Sequence, residues 1–343
     1  GARALADWKK NLGRPMLIAS NKDTEKPIKN DTLNLFKGGQ VLLQSPPAIN
    51  LEYIGLWRTR GAWTKGAAKP DLFIDDYEDP GEFRKRLCRA IVDLPACARV
   101  GIMDFEEFDS QQNPVTVEIE KHFHHLAGMQ NRDIEDYYHI RGPMPFRMMG
   151  LFGGTTTGSK GSGFLETKLN NTNLACAEAT YVFEGVGPKV VAAKGDDYLR
   201  LQAGLKINEV RRRMLSFYTG MKFKVEIAEG GEFCGMSVSR AGIYPSITRT
   251  AMKALCKRAK DYKIFTEHQK ALRDVLKEWQ DCGLYQTVVY GAFAEDKNIN
   301  YVQACLEFVN SWAHISRAQW ESATEVRKRN KYFLPTASGP TLL

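Results

Sequence analysis

The stretch "KVVAAKGDDYLRLQ" (189–202) constrains this chain more than any other. Two apolar-rich runs flank Gly195-Asp196-Asp197, and glycine and aspartate both favour turns. A strand, a turn and a second strand are therefore predicted. A further apolar run, "ARVGIMDF" (98–105), predicts a buried strand ending on Asp104. "DFEEFD" then places Asp109 five residues later. A hairpin and a buried strand demand a sheet, and the helical patterns around them supply the layer that covers it.

Asn113-Pro114 predicts a helix cap and a first-turn proline for "VTVEIEKHFHHLAG". His122, His124 and His125 lack the i, i+4 spacing of a helical zinc pair and read as a partly exposed helix face. "FLETKLNNTNLACAEATYVF" (164–183) predicts a second long helix. "MKFKVEIAEGGEFCGMSVS" predicts two short strands around Gly230-Gly231. From Ile247 the pattern is helical, with Leu255, Leu272, Val275, Leu276 and Trp279 as core positions. Residues 1–70 read as basic and irregular, with Trp57 and Trp63 interleaved among lysines and arginines.

The net charge of +8 suits a polyanionic partner if the basic groups cluster. Seven cysteines without a C-x-x-C pair exclude a zinc ribbon or disulfide framework and fit a reducing compartment. The N-terminal residues lack a signal-peptide core, and no uncharged apolar run approaches the roughly 18 residues of a membrane helix.

"GGTTTGSKGSG" (153–163) has the glycine spacing of a phosphate-binding P-loop, but Ser159-Lys160 stands where Lys-Ser/Thr should be. No hydroxyl follows the lysine to bind Mg²⁺, and "RMMGLF" before it is a poor buried strand. The loop is not a nucleotide-hydrolase loop.

The acids carry more. Gly-Asp-Asp alone is weak, arising by chance in roughly one chain of this length in twenty. Two acids on the ends of neighbouring strands can share divalent ions, because Mg²⁺ takes one or two carboxylates plus substrate phosphates. Between them lies "SGFLETKLNNT", with Ser162, Gly163, Thr167, Asn171 and Thr172 fixed in spacing. That pattern arises by chance in about one chain in ten thousand. Thr167 and Asn171 share one helix face, where polar groups beside Asp109 could hydrogen-bond a ribose 2′-hydroxyl.

D-x-x-x-F-D, S-G-x-x-x-T-x-x-x-N-T and G-D-D in this order resemble palm motifs A, B and C of viral RNA-dependent RNA polymerases. "EFDSQQN", "AAKGDD" and "GMKFKVE" resemble the alphavirus-like supergroup of positive-strand RNA viruses, nearest the hepevirus-like branch. The resemblance covers roughly residues 20–260. It implies an α+β right-hand polymerase whose palm is an antiparallel sheet backed by helices. Fingers would occupy 1–99, with a basic triphosphate-gripping segment at about 22–65, and also an insertion at 114–160. Palm would occupy 100–113 and 161–245, and a mostly helical thumb 246–343.

By resemblance, Asp104, Asp196 and Asp197 are the catalytic acids and ligands of two Mg²⁺ or Mn²⁺ ions. Asp109, Ser162, Thr167 and Asn171 select ribonucleotides. Lys26, Lys29, Arg58, Arg60 and Lys160 bind triphosphate or RNA. Lys224 or Lys222 is the candidate general acid, and Phe233, Cys234 and Gly235 support the primer end. Residues 153–163 become the glycine-permitted mobile loop ahead of motif B. The implied partners are template and product RNA, NTPs and other domains of the same viral polyprotein, in membrane-associated replication complexes of the host cytoplasm. Phe164-Leu165 departs from the acidic-proline pair that relatives carry after Ser-Gly. The chain begins close to the basic finger motif, so further fingers sequence is expected ahead of it. A reverse transcriptase is the first rival and is disfavoured by Asn171 and Asp109. A catalytically silent RNA-binding scaffold is the second and is disfavoured by the full acid set.

Overall fold

The computed structural model describes residues 17–21, 41–44, 47–74, 80–142, 144–148, 152–156, 160, 164, 166–257, 259 and 261–322. The chain divides into two compact units, Gly1–Ile243 and Tyr244–Leu343.

The first unit is built on a five-stranded sheet of β3 (Leu72–Ile74), β7 (Phe183–Lys194), β8 (Asp197–Ile207), β4 (Ala98–Phe105) and β9 (Phe223–Ala228), in that spatial order. β3 runs parallel to β7, and the other pairings are antiparallel. The run of consecutive apolar residues in β7 follows from burial on both faces. Val190 and Ala192 join Val100, Leu199 and Leu201 in one core, beneath Phe83, Leu87 and Ile91 of helix α2 (Pro80–Val92). Val191 and Ala193 join Met103, Phe105 and Tyr198 in the other, beneath Leu174, Ala175, Ala179 and Val182 of helix α5 (Thr167–Val182). Fully burying one such aliphatic side chain contributes about 1.5–3 kcal/mol, so the register is held by many residues at once.

The predicted cap at Asn113 is present. Its side chain accepts from the backbone N–H groups of Val115 and Thr116, and Thr116 Oγ1 accepts from the Asn113 N–H at 2.9 Å. This capping box opens helix α3 (Pro114–Leu126), which packs near helix α4 (Asn131–Arg141). His122, His124 and His125 do not share one environment, because His124 is wholly buried on α3.

Several elements differ from expectation. Residues 47–67 are not an irregular basic stretch but a 21-residue helix, α1 (Pro47–Ala67). Its interior Gly55, Gly61 and Gly66 weaken the helical signal in sequence. A four-stranded sheet, ordered β2 (Val41–Gln44), β1 (Leu17–Asn21), β5 (Pro145–Met148), β6 (Phe152–Thr155), joins segments more than a hundred residues apart. Helix α6 (Glu209–Thr219) follows β8 directly. Gly230-Gly231 is not a turn. It lies in β10 (Gly230–Phe233), where a Cβ on Gly231 would sit 2.1 Å from Ile102 Cδ1. The turn falls at Cys234-Gly235, with φ of 51° and 78°, before β11 (Met236–Ser239). Two positive φ values in a two-residue loop mark a type I′ hairpin.

The second unit is helical beyond β12 (Gly242–Pro245), with α7 (Ile247–Cys256), α8 (Tyr262–Asp281), α9 (Leu284–Ala294) and α10 (Ile299–His314) among the described residues. Leu272, Leu276 and Trp279 of α8 pack with Val302 and Val309 of α10, and Trp279 Nε1 donates to the Pro245 carbonyl at 2.8 Å. Leu255 is exposed rather than a core residue. No helix among the described residues is long and apolar enough to cross a membrane.

Glu178, on α5, is buried, and neither of its oxygens has a hydrogen-bond partner. Burial pushes its pKa up to about 8. The folded state therefore holds a proton that the unfolded chain releases above about pH 4.5, and stability falls as pH rises from there to about 8. Glu178→Gln removes this penalty. Its melting temperature should exceed the parent's at pH 8, by an amount on the order of a few kcal/mol in stability, and match it near pH 4.5. A constant difference across that range would contradict the assignment.

Candidate active site

Strand register sets the acids side by side. β4 pairs Met103 with Tyr198 of β8 and Asp104 with Lys224 of β9. The next step along β4 and β8 brings Asp104 opposite Asp197. Residues directly opposite on antiparallel strands project to the same face. Asp197, Asp104 and Lys224 therefore stand abreast at one end of the sheet, and Asp196 occupies the adjoining turn. Asp104, Asp196 and Lys224 are exposed, and Asp197 is half-buried. Lys224 also approaches Glu106, at 4.0 Å.

The turn is shaped and then fastened. Lys194 pairs with Asp197, leaving Gly195 and Asp196 as the loop. Gly195 has φ +62°, the left-handed region that a side chain disfavours. Its N–H donates to Thr172 Oγ1 at 2.8 Å, while the Thr172 hydroxyl donates to the Lys168 carbonyl at 2.7 Å. Thr172 thus ties α5 to the acid turn, a role its place in the motif did not disclose.

Asn171 lies one residue earlier, and its amide is fully oriented. Nδ2 donates to Asp109 Oδ1 at 2.7 Å. Oδ1 accepts from Lys160 Nζ at 3.0 Å and from Gln112 Nε2 at 3.4 Å. The Lys160 N–H also donates to the Asp109 carbonyl at 3.0 Å. Behind them Glu120 pairs with Lys160 at 2.6 Å and with Arg141, and accepts from the Tyr138 hydroxyl at 3.0 Å. Burial alone would raise the Glu120 pKa, but Lys160 and Arg141 override it and hold it down at about 2. Burial, then the charge of Arg60, lowers His124 to about 3, so the imidazole is neutral at ordinary pH.

Some expected residues stand elsewhere. The Lys160 side chain is 0% exposed, with its ammonium consumed by Glu120 and Asn171, so it is not a surface group for triphosphate or RNA. Arg60 is 1% exposed, beside His124 Nδ1 at 3.3 Å and over the rings of Trp63 and Phe123. It too is removed from the phosphate-binding set. Phe233 belongs to the hydrophobic core, so its ring is not presented to a primer, whereas Cys234 and Gly235 form the hairpin turn. Arg58 and Lys222 are exposed and Thr167 is buried. Lys26, Lys29 and Ser162 lie outside the described residues.

Among the described residues no group of three or more His, Cys, Asp or Glu is gathered to hold a metal. The donors at the sheet end are nonetheless hard carboxylate oxygens, the type Mg²⁺ and Mn²⁺ prefer. Mg²⁺ needs few of them when substrate phosphates complete its octahedron. The residues fit such ions.

A sheet of this order, with an acid-tipped hairpin beside an acid-tipped strand and helices behind, is the palm of a right-hand polymerase. The fold matches the RNA-dependent RNA polymerase of a human picorbirnavirus with a TM-score of 0.58 at 12% identity, covering 92% of this chain and 66% of that one. An insertion-loop deletion mutant of that polymerase matches with a TM-score of 0.54 over 93% of this chain and 62% of that one. In sequence the chain is 28% identical over 309 residues to a replicase of Beet necrotic yellow vein virus (isolate Japan/S), covering 90% of this chain. It is 25% identical over 203 residues, 59% of this chain, to a methyltransferase/helicase/RNA-directed RNA polymerase of Helicoverpa armigera stunt virus. The chain spans only 15% and 12% of the lengths of these two relatives. No protein-family model matches it. The fold is thus that of viral RNA-dependent RNA polymerases, and the sequence is similar to replicase proteins of two viruses.

Thr172→Val keeps the volume and removes the acceptor of the Gly195 N–H. The variant should lose about 1–3 kcal/mol, the cost of an orphaned donor, read as a shifted urea midpoint. Thr172→Ser should restore most of it. A valine variant as stable as the parent would show that the contact does not hold the turn.

Proposed function

We propose that this chain is the catalytic core of a viral replicase, joining NTPs to an RNA 3′ end under the direction of an RNA template and releasing pyrophosphate. One observation carries the reading. The register of β4 between β8 and β9 brings Asp104 and Asp197 side by side at the sheet end, next to Asp196 in a turn pinned by Thr172.

Asp104, Asp196 and Asp197 would hold two Mg²⁺ or Mn²⁺ ions. When bound, the ions supply charge stabilisation for the attacking and leaving oxygens of an in-line displacement. The protein's own groups do the rest. The Asp109–Asn171 pair, with Thr167 and Ser162, reads the sugar 2′-hydroxyl, and a site built to bond that hydroxyl penalises a nucleotide lacking it. Lys224, abreast of Asp104, is favoured over Lys222 as the donor of a proton to the departing pyrophosphate. Lys26, Lys29 and Arg58 grip the triphosphate, and the Cys234-Gly235 turn supports the primer end. The polar Asp109–Asn171 pair speaks against a reverse transcriptase, whose site blocks the 2′-hydroxyl with bulk. The acids standing together speak against a silent scaffold.

We place the working protein with other domains of its polyprotein, in membrane-associated replication complexes of the host cytoplasm. The hepevirus-like branch likewise stands as a proposal.

Asp196→Asn preserves shape and removes a charge from the metal-binding end. Primer extension on an RNA template should fall by several orders of magnitude. RNA affinity should hold or rise slightly, because binding rests on cationic groups that the lost acid repels. The check is to measure extension and RNA binding on the same preparations. Parent-like extension by the variant would remove the acid turn from the chemistry.

A further inference from the structure

Resting on the polymerase reading above, we infer that Glu120 is a positioning residue for sugar selection. It fixes the Asn171 amide through two arms that converge on one oxygen.

The first arm is short. Glu120 Oε1 holds Lys160 Nζ at 2.6 Å, and the same ammonium donates to Asn171 Oδ1 at 3.0 Å. The second arm runs from Glu120 Oε2 to Arg141, from Arg141 Nη2 to Gln112 Oε1 at 3.2 Å, and from Gln112 Nε2 to Asn171 Oδ1 at 3.4 Å. Each arm ends in a donor, and an amide facing two donors must present oxygen to them. Nδ2 is thereby turned toward Asp109, where it bonds Oδ1 at 2.7 Å. A flipped amide would set N–H against the Lys160 ammonium and oxygen against the Asp109 carboxylate, two repulsive contacts in place of three bonds.

The device is rigid because it is buried and backed. Glu120 is 1% exposed, Lys160 3% and Asn171 5%. Tyr138 donates to Glu120 Oε2 at 3.0 Å and stacks beneath the Arg141 guanidinium, 5.2 Å from ring centre to cation. Lys160 also fastens Asp109 through its backbone N–H. A single lysine thus contacts both members of the sugar-reading pair, and Glu120 holds that lysine. A buried ion pair is weak evidence for stability and better attested as a device for fixing one arrangement. Here the arrangement fixed is the one that reads a hydroxyl. Glu120 sits on α3, in the segment between the acid strand and the loop before α5. The helix therefore governs a choice made at the palm without touching the nucleotide.

The test compares the parent, Lys160→Met, and the double variant Glu120→Gln with Lys160→Met. Lys160→Met leaves the buried Glu120 paired with Arg141, and in the double variant Arg141 loses its carboxylate but keeps its hydrogen bond to Gln112; both replacements nearly preserve the volume. Steady-state kcat/KM is measured for each NTP and its 2′-deoxy counterpart on one RNA primer-template, with circular dichroism to check folding. Equilibrium binding of the Mg²⁺ complexes of NTP and dNTP is followed by calorimetry in parallel. The NTP-over-dNTP ratio should fall about ten- to a hundredfold in both variants, because a freed amide no longer holds the hydroxyl-reading geometry. The binding preference should shrink with it, while extension with NTPs persists. General structural damage would lower both sugars equally and leave the ratio alone. A folded double variant with the parent's ratio overturns the inference and leaves the polymerase reading standing. A parent that neither extends RNA nor prefers NTP in binding overturns both.

Discussion

β4 is hydrogen-bonded along both edges and covered on both faces, and the rest of the site depends on that confinement. A one-residue slip in its pairing would turn Val100, Ile102 and their neighbours out of one core and into the other. It would also carry Asp104 to the opposite face from Asp197. The two apolar cores thus enforce the register, and the register sets the acids abreast. The acids stand at the end of an element whose stability comes from the apolar residues beneath it.

The same division of labour recurs behind the Asp109–Asn171 pair. α5 presses Leu174, Ala175, Ala179 and Val182 onto the sheet and presents Asn171 and Thr172 near its first turns. Thr172 holds the acid turn, and Asn171 meets Asp109 from the loop after β4. Motifs far apart in sequence become one site because a single helix touches both the turn and the loop. The ionic cluster of Glu120, Lys160 and Arg141 fills the space behind it, one carboxylate holding two cations.

Much of this was legible in sequence where the signal was local. Asn113-Pro114 announced a cap, Gly195 and the acids announced a turn, and the apolar run of β4 announced a buried strand. The acid and motif spacing was legible because it is written along the chain itself. What sequence did not disclose was partnership. Lys160 and Arg60 read as surface cations, because nothing local reveals that Glu120 waits for one and that aromatic rings and His124 enclose the other. Gly231 read as a turn, whereas its need for no side chain comes from Ile102, distant in the chain. β1, β2, β5 and β6 are short, β1 pairs with β5 more than a hundred residues away, and α1 carries glycines that mask its periodicity. Each miss is a tertiary contact overriding a local preference.

The central claim is that register makes Asp104 and the acid turn one site for divalent ions, completed by a triphosphate. Electron paramagnetic resonance of Mn²⁺ titrated into the parent and into Asp104→Asn, with and without an NTP, tests this most directly. The account predicts weak Mn²⁺ binding by the parent alone, at least about tenfold tighter binding with NTP present, and loss of that enhancement in Asp104→Asn. Equal Mn²⁺ binding by parent and variant in the presence of NTP would contradict it.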